Sequence, residues 1–306
     1  MKLVTYRASV IAEARLGVVS HDHIVDVALL GAAYDEPMPD TMLGLIDLGQ
    51  PGLDALATLV AECDGTFPPG SATHQANVRL LAPIPRPRKN IFGIGLNYLD
   101  HVAESAAALD TSADLPRQPV IFSKPPTAVI GPGEPIRHDK DITQQLDWEV
   151  ELAAIIGTTA SRVARADALT HVFGYSVLID ISARDNRRAG QWIVSKGMDS
   201  FAPFGPCIVT ADEIDDPQSL DLWLTVNGVE KQRSNTANML FKVDELIADI
   251  SRVITLEPGD IIATGTPEGV GAGRTPQEWL WPGDTVVACV EGIGTIRHPV
   301  IDVSGA

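Results

Sequence analysis

Apolar and polar residues alternate along much of this chain with the two-residue period of β-strands, and only a few stretches carry the three-to-four spacing of a helix. Near the N-terminus, residues 3–6, 16–19 and 24–27 predict short strands, and residues 42–61 have helical spacing. A Gly/Pro loop at 65–70 and a proline-rich connector at 81–88 follow, the connector being expected as extended chain. This divides the sequence into a small N-terminal α+β domain (1–80), a linker (81–90) and a larger domain (91–306). In the larger domain, residues 90–95 read as a strand running into a turn, followed by a helix from Tyr98 to Leu109 with Asn97 as its cap. Residues 119–125 form a strand closed by prolines, and a short helix is expected near 166–170. Residues 172–180 are an apolar strand ending in Asp180, and 222–229 turn through Asn227-Gly228, a strong hairpin signal. Residues 243–254 are amphipathic, 261–271 run from a strand into a glycine-rich loop, and 284–290 and 294–303 complete the strands.

The segment Leu146-Asp147-Trp148-Glu149-Val150-Glu151-Leu152 organises the rest. Alternation along a strand places Asp147, Glu149 and Glu151 on one face and Trp148, Val150 and Leu152 on the other. Carboxylates crowded beside an apolar strand repel unless protons or a cation compensate. Either a metal ion answers that repulsion, or the acidic side faces water and blocks edge pairing. Asp180, at the end of its own strand, is either a turn residue or a third oxygen ligand beside the two glutamates. Three carboxylates without clustered His or Cys would select Mg²⁺ or Mn²⁺ over zinc.

Other residues carry candidate chemistry with an ordinary alternative beside each. His101 and Glu104, three apart on a helix, share a face; they are a carboxylate-oriented general base or a surface hydrogen bond. Residues 182–188, with Arg184, Arg187 and Arg188, are a solvated turn or a clamp for an anion. Lys196 follows an apolar run and is either exposed or placed to stabilise developing negative charge. The loop after residue 263 can present backbone amides and Thr266 to an anion. His21 and His23 flank Asp22 in what reads as a solvated hairpin turn.

Composition narrows the classes. A chain of 306 residues that is 45% hydrophobic can bury a sizeable core, and 26 glycines with 22 prolines favour a turn-rich, strand-rich fold over a helical bundle. The net charge of −17 argues against nucleic acid or an anionic membrane as partner. The three cysteines are widely spaced with no CxxC pair, so neither a zinc ribbon nor a redox motif is indicated. Neither a signal-peptide core at the N-terminus nor a run of membrane-spanning length appears, which sets the expectation of a cytoplasmic protein. Gly93-x-Gly95 lacks the third glycine of a dinucleotide fingerprint, with Tyr98 in its place. No Gly-Lys-Ser/Thr follows the late glycine-rich loop and no Gly-x-Ser-x-Gly elbow occurs, which removes the Walker and serine-hydrolase readings.

Taken in order, the motifs from Gly95-Leu96-Asn97-Tyr98 through His101 and Glu104, Ser123-Lys124-Pro125, Glu149-Val150-Glu151, Asp180-Ile181-Ser182-Ala183-Arg184-Asp185, Gln191-Trp192 with Lys196, Gly259-Asp260, Thr264-Gly265-Thr266-Pro267 and Glu291-Gly292 resemble the fumarylacetoacetate hydrolase family over about residues 90 to 303. The resemblance implies a mostly β fold with some α, a mixed β-sandwich roll, assembled as a homodimer. It implies that Glu149, Glu151 and Asp180 bind Mg²⁺ or Mn²⁺, that His101 and Glu104 ride a lid helix, that Lys196 sits beside the metal, and that Arg184 and Thr266 hold the substrate's polar groups. Many relatives carry glutamine where Arg187 stands; an extra cation there either favours a substrate with a second carboxylate or turns outward. The activity implied first is hydrolysis of a carbon–carbon bond in acylpyruvate-type 2,4-dioxo acids through an enolate, with a small 2-oxo acid as the partner molecule. Relatives also isomerise or hydrate unsaturated 2-oxo dioic acids of aromatic breakdown, decarboxylate oxaloacetate, or act on diketo sugar acids. A non-catalytic binding protein is the contrasting class, and the retained set His101, Glu104, Glu149, Glu151, Asp180 and Lys196 speaks for an enzyme.

Overall fold

The computed structural model describes residues 1–108, 114–188 and 190–305. Its centre is the strand Val150–Ile156, every residue of which is buried. This strand pairs antiparallel with Val172–Ile179 on one side and with Ile261–Ala263 on the other. Beyond Ile261–Ala263 the sheet continues through the parallel strand Ile91–Gly95 to the edge strand Val120–Lys124. In the other direction it runs through Ala202–Thr210 to Lys2–Arg7, then Arg15–Ser20, His23–Asp26 and Ala72–His74, in a sheet of 12 strands. The strands of residues 1–80 therefore extend the same sheet across the expected boundary near residue 80, through the Leu3–Ile208 pairing.

A second sheet of five strands, Val229–Asn235, Asp221–Val226, Thr285–Val290, Gly294–Asp302 and Ile136–His138, packs on the central strands of the first. The architecture is thus mostly strand with some helix, as two packed mixed sheets. Asn227 and Gly228 have φ of 51° and 78°, the paired positive values that a tight two-residue hairpin requires.

Several expectations change on contact with the fold. The acidic segment is not one half-buried strand. Leu146–Asp147 pairs with Ser182–Ala183 in a separate two-stranded ribbon, and the central strand begins only at Val150. Its two faces are covered by different layers, so alternation no longer separates a wet face from a dry one. Asn97 does not cap the helix Leu99–Ala108. Its side chain donates to the carbonyls of Thr264 (2.7 Å) and Phe241 (3.0 Å) and accepts the Phe241 amide (2.8 Å), tying three segments together instead. Leu109, the expected last residue of that helix, lies outside the described residues. The helix Met42–Glu62 is interrupted at Gly49 (φ 61°, ψ −148°), two residues before Pro51, whose ring could not continue an unbroken helix. The segment near 166–170 is a 3₁₀ turn, Arg165–His171, and the amphipathic helix ends early, at Ser251.

Candidate active site

Strand register brings the carboxylates together. Val150 is opposite Ile179, so the next positions outward are Glu149 and Asp180, and the Asp180 amide donates to the Glu149 carbonyl at 2.8 Å. Glu151, one residue further in, reaches the same spot. Oxygens of Glu149, Glu151 and Asp180 lie within 4.8 Å of one another, and all three residues are buried. Asp147, expected on the same face, is diverted by the break in the strand. Its carboxylate accepts the amides of Gly271 (2.6 Å), Ala272 (3.1 Å) and Trp148 (2.8 Å) and the Arg184 Nε–H (2.8 Å).

The positive groups around the triad are unevenly shared. Lys196 donates to Glu149 at 2.8 Å and to Asp180 at 2.5 Å, and Arg184 Nη2 donates to Glu149 at 2.5 Å. Lys124, fully buried, donates to Asp180 and to the Ile181 carbonyl. Glu151 receives only the Gly265 amide, at 2.9 Å, and its Oε1 is buried with no hydrogen-bond partner among the described residues. Burial would raise the Glu149 carboxyl, but Lys196 and Arg184 outweigh it and hold the group well below the carboxylate range. For Glu151, burial and the neighbouring Asp180 and Glu149 all act in the same direction, and its carboxyl is raised well above its ordinary value. Burial lowers Lys196 as well, yet Asp180 and Glu149 reverse that and keep the ammonium charged.

A buried carboxylate oxygen without a hydrogen-bond partner among the described residues, in a group of three converging acidic side chains, has a need that a bound cation would meet. The residues present fit a hard divalent ion, with three carboxylates and no soft ligand.

A cleft of about 500 Å³ opens onto this cluster and is lined in part by His101, Glu149, Arg184, Arg187, Lys196 and Thr266. His101 is 5% exposed and its Nδ1 lies 3.1 Å from Glu104 Oε2, so the pair is no surface contact. Glu104 Oε1 accepts the Gly269 amide at 3.0 Å, which docks the helix Leu99–Ala108 onto the loop after Ile261–Ala263. Arg184 points inward from its turn, whereas Arg188 is exposed. The Thr266 hydroxyl accepts from Gln232 Nε2 (2.8 Å), leaving its own proton to donate. Asp22, His23 and His74 meet at an exposed turn remote in sequence from the cleft residues.

Three residues have roles that no local pattern announces. Lys124 stands out in the sequence only as a polar residue in an apolar strand closed by prolines. Asp147 shares the acidic alternation but not its destination. Gln232, which accepts the Val150 amide at 2.9 Å while donating to Thr266, sits in a hairpin strand with nothing around it to mark it.

A buried triad of carboxylates, flanking ammonium groups and a helix-borne His–Glu pair are thus gathered at one site. The family model described as fumarylacetoacetate (FAA) hydrolase C-terminal matches residues 90–301. The chain is 38% identical over 306 residues to the oxaloacetate tautomerase fahd2, mitochondrial, of Xenopus laevis, spanning 98% of this chain and 90% of that protein. It is 42% identical over 226 residues to the oxaloacetate tautomerase YisK of Bacillus subtilis (strain 168), 74% of each chain. Among solved structures, the maleylpyruvate hydrolase from Sphingobium sp. SYK-6 in complex with manganese(II) ion and pyruvate is similar with a TM-score of 0.77 and 32% identity, over 99% of both chains. A fumarylacetoacetate hydrolase from Exiguobacterium antarcticum gives 0.81 and 37%, again over 99% of both. The protein belongs to the fumarylacetoacetate hydrolase family, whose members include hydrolases, isomerases and tautomerases. Among the described residues no helix is long and apolar enough to cross a membrane.

Proposed function

We propose that the protein is a divalent-metal-dependent enzyme acting on 2-oxo acids, and that it interconverts their enol and keto forms, with oxaloacetate as the substrate type. The observation that carries this reading is the uncompensated Glu151 oxygen within a buried triad whose Glu149 lines the same cleft as His101. The tautomerase relatives, similar over most of their length, support the choice of reaction. Carbon–carbon bond hydrolysis, the activity expected first from the sequence, is the second reading; the similar maleylpyruvate hydrolase, seen with manganese(II) and pyruvate, favours it.

A Mg²⁺ or Mn²⁺ ion held by Glu149, Glu151 and Asp180 would supply Lewis-acid stabilisation of the substrate's carbonyl oxygen. The remaining chemistry belongs to the chain. Glu104 holds Nδ1 of His101 and fixes the ring, so Nε2 exchanges the proton at the carbon beside the keto group. Lys196 uses two of its ammonium hydrogens on Glu149 and Asp180, and its third would serve negative charge developing on the substrate oxygen. The enol hydroxyl proton leaves to water as His101 protonates carbon, and the reverse steps regenerate the enol. For hydrolysis the same His101 nitrogen would take a proton from the attacking water.

The experiment is to load purified protein with Mg²⁺ or Mn²⁺ and follow enol absorbance of oxaloacetate, with acetylpyruvate and maleylpyruvate in parallel. Metal-dependent acceleration of enol–keto exchange is expected, removed by a chelator. Rapid release of pyruvate plus a second acid, with no acceleration of exchange, would give precedence to hydrolysis. Carbon dioxide release from oxaloacetate would point to decarboxylation. Absence of turnover with metal bound would contradict enzymatic function.

A further inference from the structure

Two neighbouring aromatic rings, one of them Trp192 in the wall of the cleft, each carry a cation. Phe122 and Trp192 have centroids 5.4 Å apart at an interplanar angle of 48°. Lys196 Nζ lies 4.9 Å from the Phe122 ring centre, and Arg187 Cζ lies 5.1 Å from that of Trp192. Their situations differ. Lys196 is engaged by Glu149 and Asp180, whereas the Arg187 guanidinium has neither hydrogen bond nor ion pair among the described residues. It lines the cleft that Glu149 and Lys196 also line. Burial and the neighbouring Arg184 both disfavour its charge, so this cation is held where it gains from an added anion.

The position is built rather than incidental. A Cβ on Gly95 would come within 2.5 Å of the Trp192 ring, so the indole rests on bare backbone, with Phe122 beside it. A planar guanidinium stacked on an indole keeps its hydrogen-bonding edge available, and that edge matches a carboxylate in two-point fashion. The cleft thus holds Glu149 of the triad and, on the Trp192 wall, a guanidinium unpaired among the described residues.

We propose that Arg187, seated on Trp192, is the specificity-determining residue that binds a second carboxylate of the substrate, selecting 2-oxo diacids over 2-oxo monoacids. This rests on the proposed function only in taking the 2-oxo acid end to lie at the triad. Arg187 is exposed at the cleft mouth, so its contribution is screened and falls as salt rises.

The test uses two ligands of equal length that lack a bond to be hydrolysed, 2-oxopentanedioate and 2-oxopentanoate, titrated calorimetrically into Mg²⁺-loaded protein at low salt. The wild-type chain is expected to prefer the diacid by roughly tenfold, the scale of one charge-assisted hydrogen-bonded pair. Arg187→Gln should erase that preference while leaving monoacid affinity unchanged, and Arg187→Lys should retain part of it. Equal binding of the two ligands by the wild-type chain would overturn the inference and leave the proposed function standing. So would an equal loss of both in Arg187→Gln, which would place Arg187 on the carboxylate common to both. Failure of both ligands to bind the metal-loaded protein would overturn the proposed function and this inference with it.

Discussion

Glu104 grips His101 with one carboxylate oxygen, 3.1 Å from Nδ1, and the Gly269 amide with the other, at 3.0 Å. One side chain therefore both orients the proposed base and latches its helix to the sheet. Replacing it with glutamine keeps an acceptor for Gly269 but removes the charge that stabilises a protonated imidazole. Glu104→Gln is expected to lower kcat by about 10²-fold, the low end of what general acid–base catalysis supplies. Steady-state kinetics beside a metal-binding measurement check it, since metal affinity should not move. Unchanged kcat would remove His101 from the chemistry.

The latch leaves no room on its far side. A Cβ on Gly273 would lie 2.1 Å from Glu104 Cδ. Gly273→Ala should push the helix Leu99–Ala108 off the loop, lowering kcat/KM by about tenfold or more, as expected when a closing element is displaced. Exchange of the Gly269 amide should quicken, while the thermal midpoint stays near wild type because Gly273 lies in a short turn at the end of that loop. Retention of wild-type kcat/KM would show that closure of this helix does not limit turnover.

A buried histidine outside the cleft lining sets an acid limit on stability. His298 shares a hydrogen bond through Nδ1 with the Glu134 carbonyl at 2.8 Å, its Nε2 has no partner among the described residues, and burial pulls its pKa down to about 4. The unfolded ring titrates near pH 6.5, so between about 6.5 and 4 the unfolded chain binds the extra proton. Stability is therefore full above that window and is lost as pH falls through it, by about 3 kcal/mol from this group. In His298→Gln the fall should be shallower, so the stability gap between wild type and variant narrows from pH 7 to pH 4. Denaturant titrations across that range check it; a gap independent of pH would contradict the assignment.

Legibility in the sequence falls with distance along the chain. The hairpin at Asn227-Gly228 is readable because positive φ at both turn positions is a local demand that Asn and Gly satisfy. Glu149, Glu151 and Asp180 carry local hints, but their convergence depends on the Val150–Ile179 register, so in the sequence Asp180 joins the two glutamates only as one of two readings, which the family resemblance then favours. Asp147 departs from the expected face because alternation holds only while a strand continues, and this one breaks between Asp147 and Val150. Asn97 has the look of a helix cap because its partners, Phe241 and Thr264, are more than a hundred residues away. Lys124 and Gln232 give no warning for the same reason: what makes them important is the carboxylate or amide that the fold delivers to them.

If the triad is a cation site completed by Glu151, then Mn²⁺ titrated into metal-free protein and followed by electron paramagnetic resonance should reveal it without reference to any substrate. A single tight Mn²⁺ site is expected, weakened by roughly 10²-fold or more in Glu151→Gln, since removal even of a supporting contact behind a ligand costs ten- to a hundredfold. In His101→Ala binding should stay close to wild type. Mn²⁺ binding indifferent to Glu151→Gln, or lost as completely in His101→Ala, would contradict the assignment of the triad.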